Sequence, residues 1–257
     1  MKATELIEFI DAAHLTSFID SPFPQRGCIM IIGPPSAMKT SIIQTALHEV
    51  PKSLYMSDLN VNSLMAVRES FISGKYSTLA FPEFEKLYAR KADTAANVES
   101  TIKQLIEEGF TRASFEEQDA ICFTARALVI GAMTYSFYSS KIARWRESGF
   151  KRRVLWLGVR LNDPDKLMMA VRNWARIELD GIPRRYPSGN IPFNVSDAES
   201  RYIERMLEGQ YEITPYVLLK KTLSVLKWKY AKEPSKPMQL FKQLKPLLNN
   251  QLGEIEI

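Results

Sequence analysis

Gly33-Pro34-Pro35-Ser36-Ala37-Met38-Lys39-Thr40 constrains this 257-residue chain more than any other stretch. An apolar run, Cys28-Ile29-Met30-Ile31-Ile32, leads into it. Ser41-Ile42-Ile43-Gln44-Thr45-Ala46-Leu47 follows with helical character. Strand, tight loop, Lys-Thr and helix is the order a phosphate-cradling loop requires. Loop N–H groups and the positive helix end then surround phosphate oxygens. In such a loop Gly33, Pro34, Ser36, Ala37 and Met38 line the cradle. Lys39 reaches the β- and γ-phosphates of ATP, and the Thr40 hydroxyl holds Mg²⁺. The pattern G-x-x-x-x-G-K-[ST] is met at Gly33, Lys39 and Thr40 and departs at Met38. Glycine there turns with no Cβ in the way, so Met38 bears on whether nucleotide binding is retained.

The rest of the chain sets the frame. Its length suits one α/β domain with a small appended module. Hydrophobic residues at 46% and charged residues at 25% are ordinary globular composition. No apolar run approaches the roughly 18 residues of a membrane span. Acidic Glu5 interrupts the amino terminus, which therefore lacks a secretory pattern. Cys28 and Cys122 each sit in an apolar run and read as buried free thiols of a reducing, cytoplasmic protein. With His14 and His48 they leave little material for a zinc site. The net charge of +5 makes an anionic partner plausible without demanding one. Between residues 215 and 251 stand Lys220, Lys221, Lys227, Lys229, Lys232, Lys236, Lys242 and Lys245, opposed there only by Glu233. Non-specific contact with the phosphate backbone of DNA is expected there.

Periodicity divides the chain into an amino-terminal helical segment (1–24), an α/β core (25–182) and a helical, Lys-rich module (183–257). Residues 3–20 read as short helices that either cover a sheet edge or lie near a bound base. Lys52 to Asp58 reads as a strand and Asn62 to Ile72 as a helix. A helix over 91–109 is expected, capped by Asp93 or Thr94, then a polar loop over 110–120. A Met-rich helix spans Leu167 to Trp174. Pro183, Pro187, Gly189 and Pro192 mark a linker. Helices follow from Ser196, from Thr214 and over Leu240 to Leu248, with Pro234 and Pro237 as breaks.

Several residues carry candidate chemistry. Tyr76-Ser77-Thr78-Leu79-Ala80-Phe81-Pro82-Glu83 is a mostly apolar strand ending in an acid, the pattern of a Walker B element. Glu83 there would orient the attacking water. The companion acid that supports Mg²⁺ is missing from that strand, and Asp58 at the end of the preceding strand is the substitute. Arg152 and Arg153 lead straight into the apolar strand Val154-Leu155-Trp156-Leu157. Arginines so placed suit either an arginine finger or a backbone contact with nucleic acid.

The loop at 33–40, the acid-ended strand at 78–83, the hydroxyl-ended strand at 126–134 and the arginine pair at 152–153 come in an order that resembles an AAA+ P-loop ATPase. The Gly149–Trp156 segment looks like the arginine segment of helicase-like ATPases of phages, plasmids and mobile elements. The resemblance spans roughly residues 25–180. It implies a P-loop NTPase sheet flanked by helices, with ATP and Mg²⁺ as ligands and DNA as partner. It implies a ring homo-oligomer in a helicase, helicase loader or translocase of DNA replication. Thr134 would then sense the γ-phosphate, and Arg152 or Arg153 would act in the neighbouring subunit's site. A competing alignment makes Leu128-Val129-Ile130-Gly131 the acid-ended strand, as in RecA-like recombination ATPases and FtsK/HerA-like packaging motors, and leaves Gly131 where an acid is required. The rivals from other classes are a non-hydrolysing scaffold with a degraded loop and a small-molecule kinase.

Overall fold

The computed structural model describes residues 3–47, 50–89, 91–112, 123–159, 186–193, 195–208 and 213–244. From the amino end these give α1 (Ala3–His14), β1 (Ile19–Asp20), β2 (Cys28–Gly33), α2 (Lys39–Leu47) and β3 (Ser53–Tyr55). Next come α3 (Val61–Ala66), α4 (Arg68–Ile72), β4 (Thr78–Phe81), α5 (Ala92–Glu107), β5 (Phe110–Arg112) and β6 (Phe123–Ala125). β7 (Leu128–Thr134), α6 (Tyr135–Glu147) and β8 (Val154–Gly158) complete the central part. β9 (Ile191–Pro192), α7 (Asp197–Glu208), α8 (Thr214–Lys229) and α9 (Ser235–Leu244) follow. Short 3₁₀ helices cover Phe84–Ala89 and Lys151–Arg153.

Five strands form one parallel sheet in the order β3-β4-β7-β2-β8. Every residue of β2 is buried, as expected for a parallel strand covered on both faces. Side chains alternate across the sheet, so β2 feeds two cores. Ile29 and Ile31 pack with Leu155, Leu157, Ile130 and the apolar sides of α1, α2, α8 and α9. Cys28, Met30 and Ile32 pack with Trp156, Val129 and the apolar sides of α3, α4, α5 and α6. The fold is therefore α/β with three layers, and its carboxyl-terminal helices share the layer of α1 and α2.

Chain direction places the site. From β2 the chain leaves through α2 on one face and returns at the outer edge as β3. From β7 it leaves through α6 on the other face and crosses β2 to become β8. β2 and β7 are neighbours whose connections depart to opposite faces, a topological switch point. The crevice outside their carboxyl ends is where sheets of this kind bind ligands.

Three local expectations shift. Part of the expected loop at 110–120 is the strand β5, which pairs antiparallel with β6. The N-cap position of α5 falls on Lys91, which makes no side-chain capping bond, and Asp93 lies in the first turn. The last helix starts at Ser235, because Pro237 sits in its first turn, where a missing N–H costs nothing. The Met-rich helix expected at 167–174, Cys122, His48 and Lys245 lie outside the described residues.

Candidate functional site

The site begins where three strands end together. Gly33 closes β2 and stands in register with Thr134 at the end of β7. On the other side the Val159 N–H donates to Ile32 O at 2.6 Å. The Tyr135 hydroxyl donates to Val159 O at 3.1 Å and closes the circuit across the mouth. A Cβ on Gly33 would stand 3.1 Å from Val159 O and 3.3 Å from the Ala37 Cβ, so a larger residue there would push its neighbours back by a few tenths of an ångström.

The loop then folds in two steps. Ala37 N–H donates to Pro34 O at 3.2 Å. With Pro35 second and Ser36 third at φ 62°, this is the pattern of a type II turn. Met38 follows at φ 56° and its carbonyl accepts the Ile42 N–H at 2.9 Å, the first bond of α2. Met38 thus occupies the left-handed conformation that glycine normally supplies. The first N–H groups of α2 lack partners within the helix and carry its positive end, so they make a ready anion cradle. Lys39 and Thr40 are the first residues of α2. Lys39 Nζ lies back along the loop, donating to Pro34 O at 2.7 Å and Gly33 O at 3.2 Å. Burial pulls its pKa down, and the charge of Glu85 opposes that shift.

Glu85 was not among the residues picked from sequence. It rides the 3₁₀ helix after β4 and accepts the Thr134 main-chain N–H at 2.5 Å. Phe84 and Tyr88 anchor that helix. Phe84 stacks on Phe150 at 5.9 Å, and the Trp145 indole N–H donates to the Tyr88 hydroxyl at 2.7 Å. Tyr88 in turn donates to Glu99 Oε2 at 2.9 Å. Glu83 instead pairs with Lys86 on the surface. The i, i+3 spacing of Glu83 and Lys86 was the legible signal, because those positions eclipse in a 3₁₀ helix.

The other candidates divide. Thr134 caps α6, its hydroxyl accepting the Phe137 N–H at 3.2 Å, and stands beside the loop. Asp58 is exposed, beyond the end of the edge strand β3. Three strand spacings, about 14 Å, separate β3 from β2, so the sheet does not bring Asp58 alongside Thr40. Arg152 and Arg153 precede β8, the strand beside β2, at the amino ends of the strands and so at the opposite end from the loop. Arg153 is held by Glu107 Oε2 at 2.7 Å and Gly149 O at 2.8 Å, while Arg152 is exposed. Gly131, which the competing alignment needs acidic, is buried against the Met30 sulfur.

The lysines of α8 are largely internal. Lys229 pairs with Asp11, Lys220 pairs with Glu199, and Lys221 donates to Phe23 O and Gln25 O. Lys227, Lys232 and Lys242 face solvent, and Lys236 lies 4.1 Å over the Tyr230 ring.

Among the described residues no group of three or more His, Cys, Asp or Glu is arranged to hold a metal. No helix among them is long and apolar enough to cross a membrane. Compared with known protein families and with curated proteins, the chain matches neither a family model nor a curated sequence.

Proposed function

We propose that the chain binds Mg²⁺-ATP at the Gly33–Thr40 loop as a P-loop NTPase and hydrolyses it. The observation that carries this function is one juxtaposition. Gly33 and Thr134 are register partners at the switch point, with Lys39 beside them and Glu85 bonded to the Thr134 N–H. The loop fits a polyphosphate on its own geometry. Two left-handed residues, Ser36 and Met38 with Ala37 between them, wrap it around the start of α2. Lys39 spends its bonds on loop carbonyls and can exchange them for phosphate oxygens.

Lys39 then places a positive charge on the β- and γ-phosphates and stabilises charge that develops as the terminal bond breaks. Thr40 is the residue that would hold Mg²⁺, which when bound neutralises phosphate charge. Glu85 offers a carboxylate oriented by the Thr134 N–H, and it takes the water-orienting role in place of Glu83. Thr134 presents its hydroxyl at the mouth as the phosphate-sensing group.

Coupling to DNA in a ring, as in a helicase, loader or translocase, is part of the same proposal. The far-end position of Arg152 and the exposed Lys227, Lys232 and Lys242 favour it. An arginine about 16 Å from its own loop along β8 is too far to reach a phosphate there, and in a ring it would serve the neighbouring subunit's site. Steady-state ATP hydrolysis with Mg²⁺, with and without single- and double-stranded DNA, tests it. Hydrolysis stimulated by DNA and abolished by Lys39→Ala supports the motor. No hydrolysis under any condition favours the non-hydrolysing scaffold, to which the left-handed Met38 points.

A further inference from the structure

A second cluster of charge lies at the other end of the sheet, by the amino ends of its strands. Arg26 stands just before β2 and Arg126 just before β7, the neighbouring strand. Lys221, in the middle of α8, reaches the same place. The three side chains line a cavity of about 230 Å³, with Ser21 and Phe23 on its wall. Water occupies about 30 Å³ per molecule, so a phosphate group fits with several waters.

What holds these cations is uncharged. Arg26 donates to Thr16 O at 2.7 Å and Ser17 O at 3.4 Å. Arg126 donates to Glu107 O. Lys221 donates to Phe23 O and to Gln25 O at 3.0 Å. Among the described residues no carboxylate lines the cavity. Elsewhere the same chain gives its inward cations acids: Asp11 for Lys229, Glu199 for Lys220 and Glu107 for Arg153. Burial together with the charges of Arg26 and Arg126 holds the Lys221 pKa down at about 7, and the Arg26 pKa falls to about 10. Buried Lys221 and the half-buried Arg26 and Arg126 are like charges that repel one another, and an anion among them relieves that cost.

We propose that this cavity is an anion site for a phosphate group, distinct from the Gly33–Thr40 loop and built by Arg26, Arg126 and Lys221. A phosphate dianion suits it: its charge balances two of the three cations, and its oxygens accept from guanidinium and ammonium donors together. The phosphate belongs either to a nucleic-acid strand or to a free phosphorylated compound. The site does not depend on nucleotide binding at the loop.

The probe is inorganic pyrophosphate without Mg²⁺, titrated calorimetrically into the full-length Lys39→Ala protein so that the loop does not contribute. Binding is expected there, weakened about tenfold or more by adding Arg126→Gln, the loss of one charge-assisted bond. Lys221→Met, of similar length and uncharged, guards against a folding artefact. It is expected to weaken binding as strongly while melting no lower than its parent. No binding to Lys39→Ala, or binding by the Arg126→Gln and Lys221→Met proteins as tight as that of their Lys39→Ala parent, overturns the proposal. Competition by a short oligothymidylate assigns the phosphate to a strand. Binding that the oligonucleotide leaves unchanged assigns it to a free phosphorylated compound, and either result upholds the site.

Discussion

Glu85 accepts the main-chain N–H of Thr134 at 2.5 Å, which ties the turn after β4 to the end of β7 beside Gly33. Two acids, Glu83 and Glu85, follow the same strand; Glu85 bonds to the end of β7, and Glu83 pairs with Lys86. Glu85→Gln is expected to lower ATP hydrolysis by about a hundredfold or more while nucleotide still binds, the usual effect of removing a water-orienting group. Glu83→Gln removes a surface pair with Lys86 and is expected to leave hydrolysis within a few-fold. Single-turnover hydrolysis with the two variants side by side separates them. Equal loss in both contradicts the assignment of Glu85.

Met38 stands at φ 56°, where an L residue bears a cost of about 1–2 kcal/mol. Met38→Gly removes that strain, and the greater freedom of the unfolded chain offsets part of the gain. Nucleotide affinity is expected to hold or tighten in Met38→Gly. Met38→Val puts a β-branched side chain at the same φ and is expected to weaken both affinity and melting temperature. Fluorescence titration and thermal melts read the pair, and a Met38→Val protein that binds like wild type would show that the loop adopts another conformation.

Asp11 and Lys229 form an ion pair between α1 and α8 whose side chains are 5% and 1% exposed. Removing one partner leaves the other charge buried alone, so Asp11→Ala is expected to cost about 3–5 kcal/mol. Replacing both, as Asp11→Leu with Lys229→Met, is expected to recover most of that loss. Urea unfolding of the single and double variants measures the difference. A single variant within 1 kcal/mol of wild type, on the order of a surface pair, would mean that the two charges reach water.

His14 is buried between Thr78 Oγ1 at 2.8 Å and Pro51 O at 3.0 Å. Burial lowers its pKa from the ordinary value near 6.5, and Lys52 adds to the shift while Asp11 and the Pro51 carbonyl oppose it. Below about pH 6.5 the unfolded chain therefore binds a proton that the folded chain refuses. The contribution of His14 is present above that pH and is lost as pH falls toward the folded-state pKa. His14→Gln is expected to flatten the decline in unfolding free energy between pH 6.5 and 5, measured by urea titration. An unchanged slope would place the acid sensitivity elsewhere.

The sheet was readable because its strands are short apolar runs bounded by turns. Cys28–Ile32 and Leu128–Met133 carry apolar residues on both faces, which only a covered parallel strand requires. The cradle was readable through Gly33, Lys39 and Thr40. Strand order was not, because pairing is set by crossovers that leave no local mark: the strand of Asp58 does neighbour β4, but the sequence did not show that β7 stands between β4 and β2 and leaves Asp58 three spacings from the loop strand. The choice between Glu83 and Glu85 depended on how a 3₁₀ turn faces its acids, with Lys86 as the only hint. Counting lysines overstated the surface charge of α8. Leu218-Leu219-Lys220-Lys221-Thr222-Leu223 has no polar face, so lysines in that stretch must turn inward and find partners. The amino-edge cluster was invisible, since Arg26, Arg126 and Lys221 meet only in the folded chain.

The most direct measurement is equilibrium binding of a fluorescent ATP analogue with Mg²⁺, on wild type and Lys39→Ala in parallel. Wild type is expected to bind in the micromolar range, and Lys39→Ala to bind at least about tenfold more weakly, the loss of charge-assisted bonds to phosphate. Equal affinity in the two proteins, or no binding in either, would contradict nucleotide binding at the Gly33–Thr40 loop.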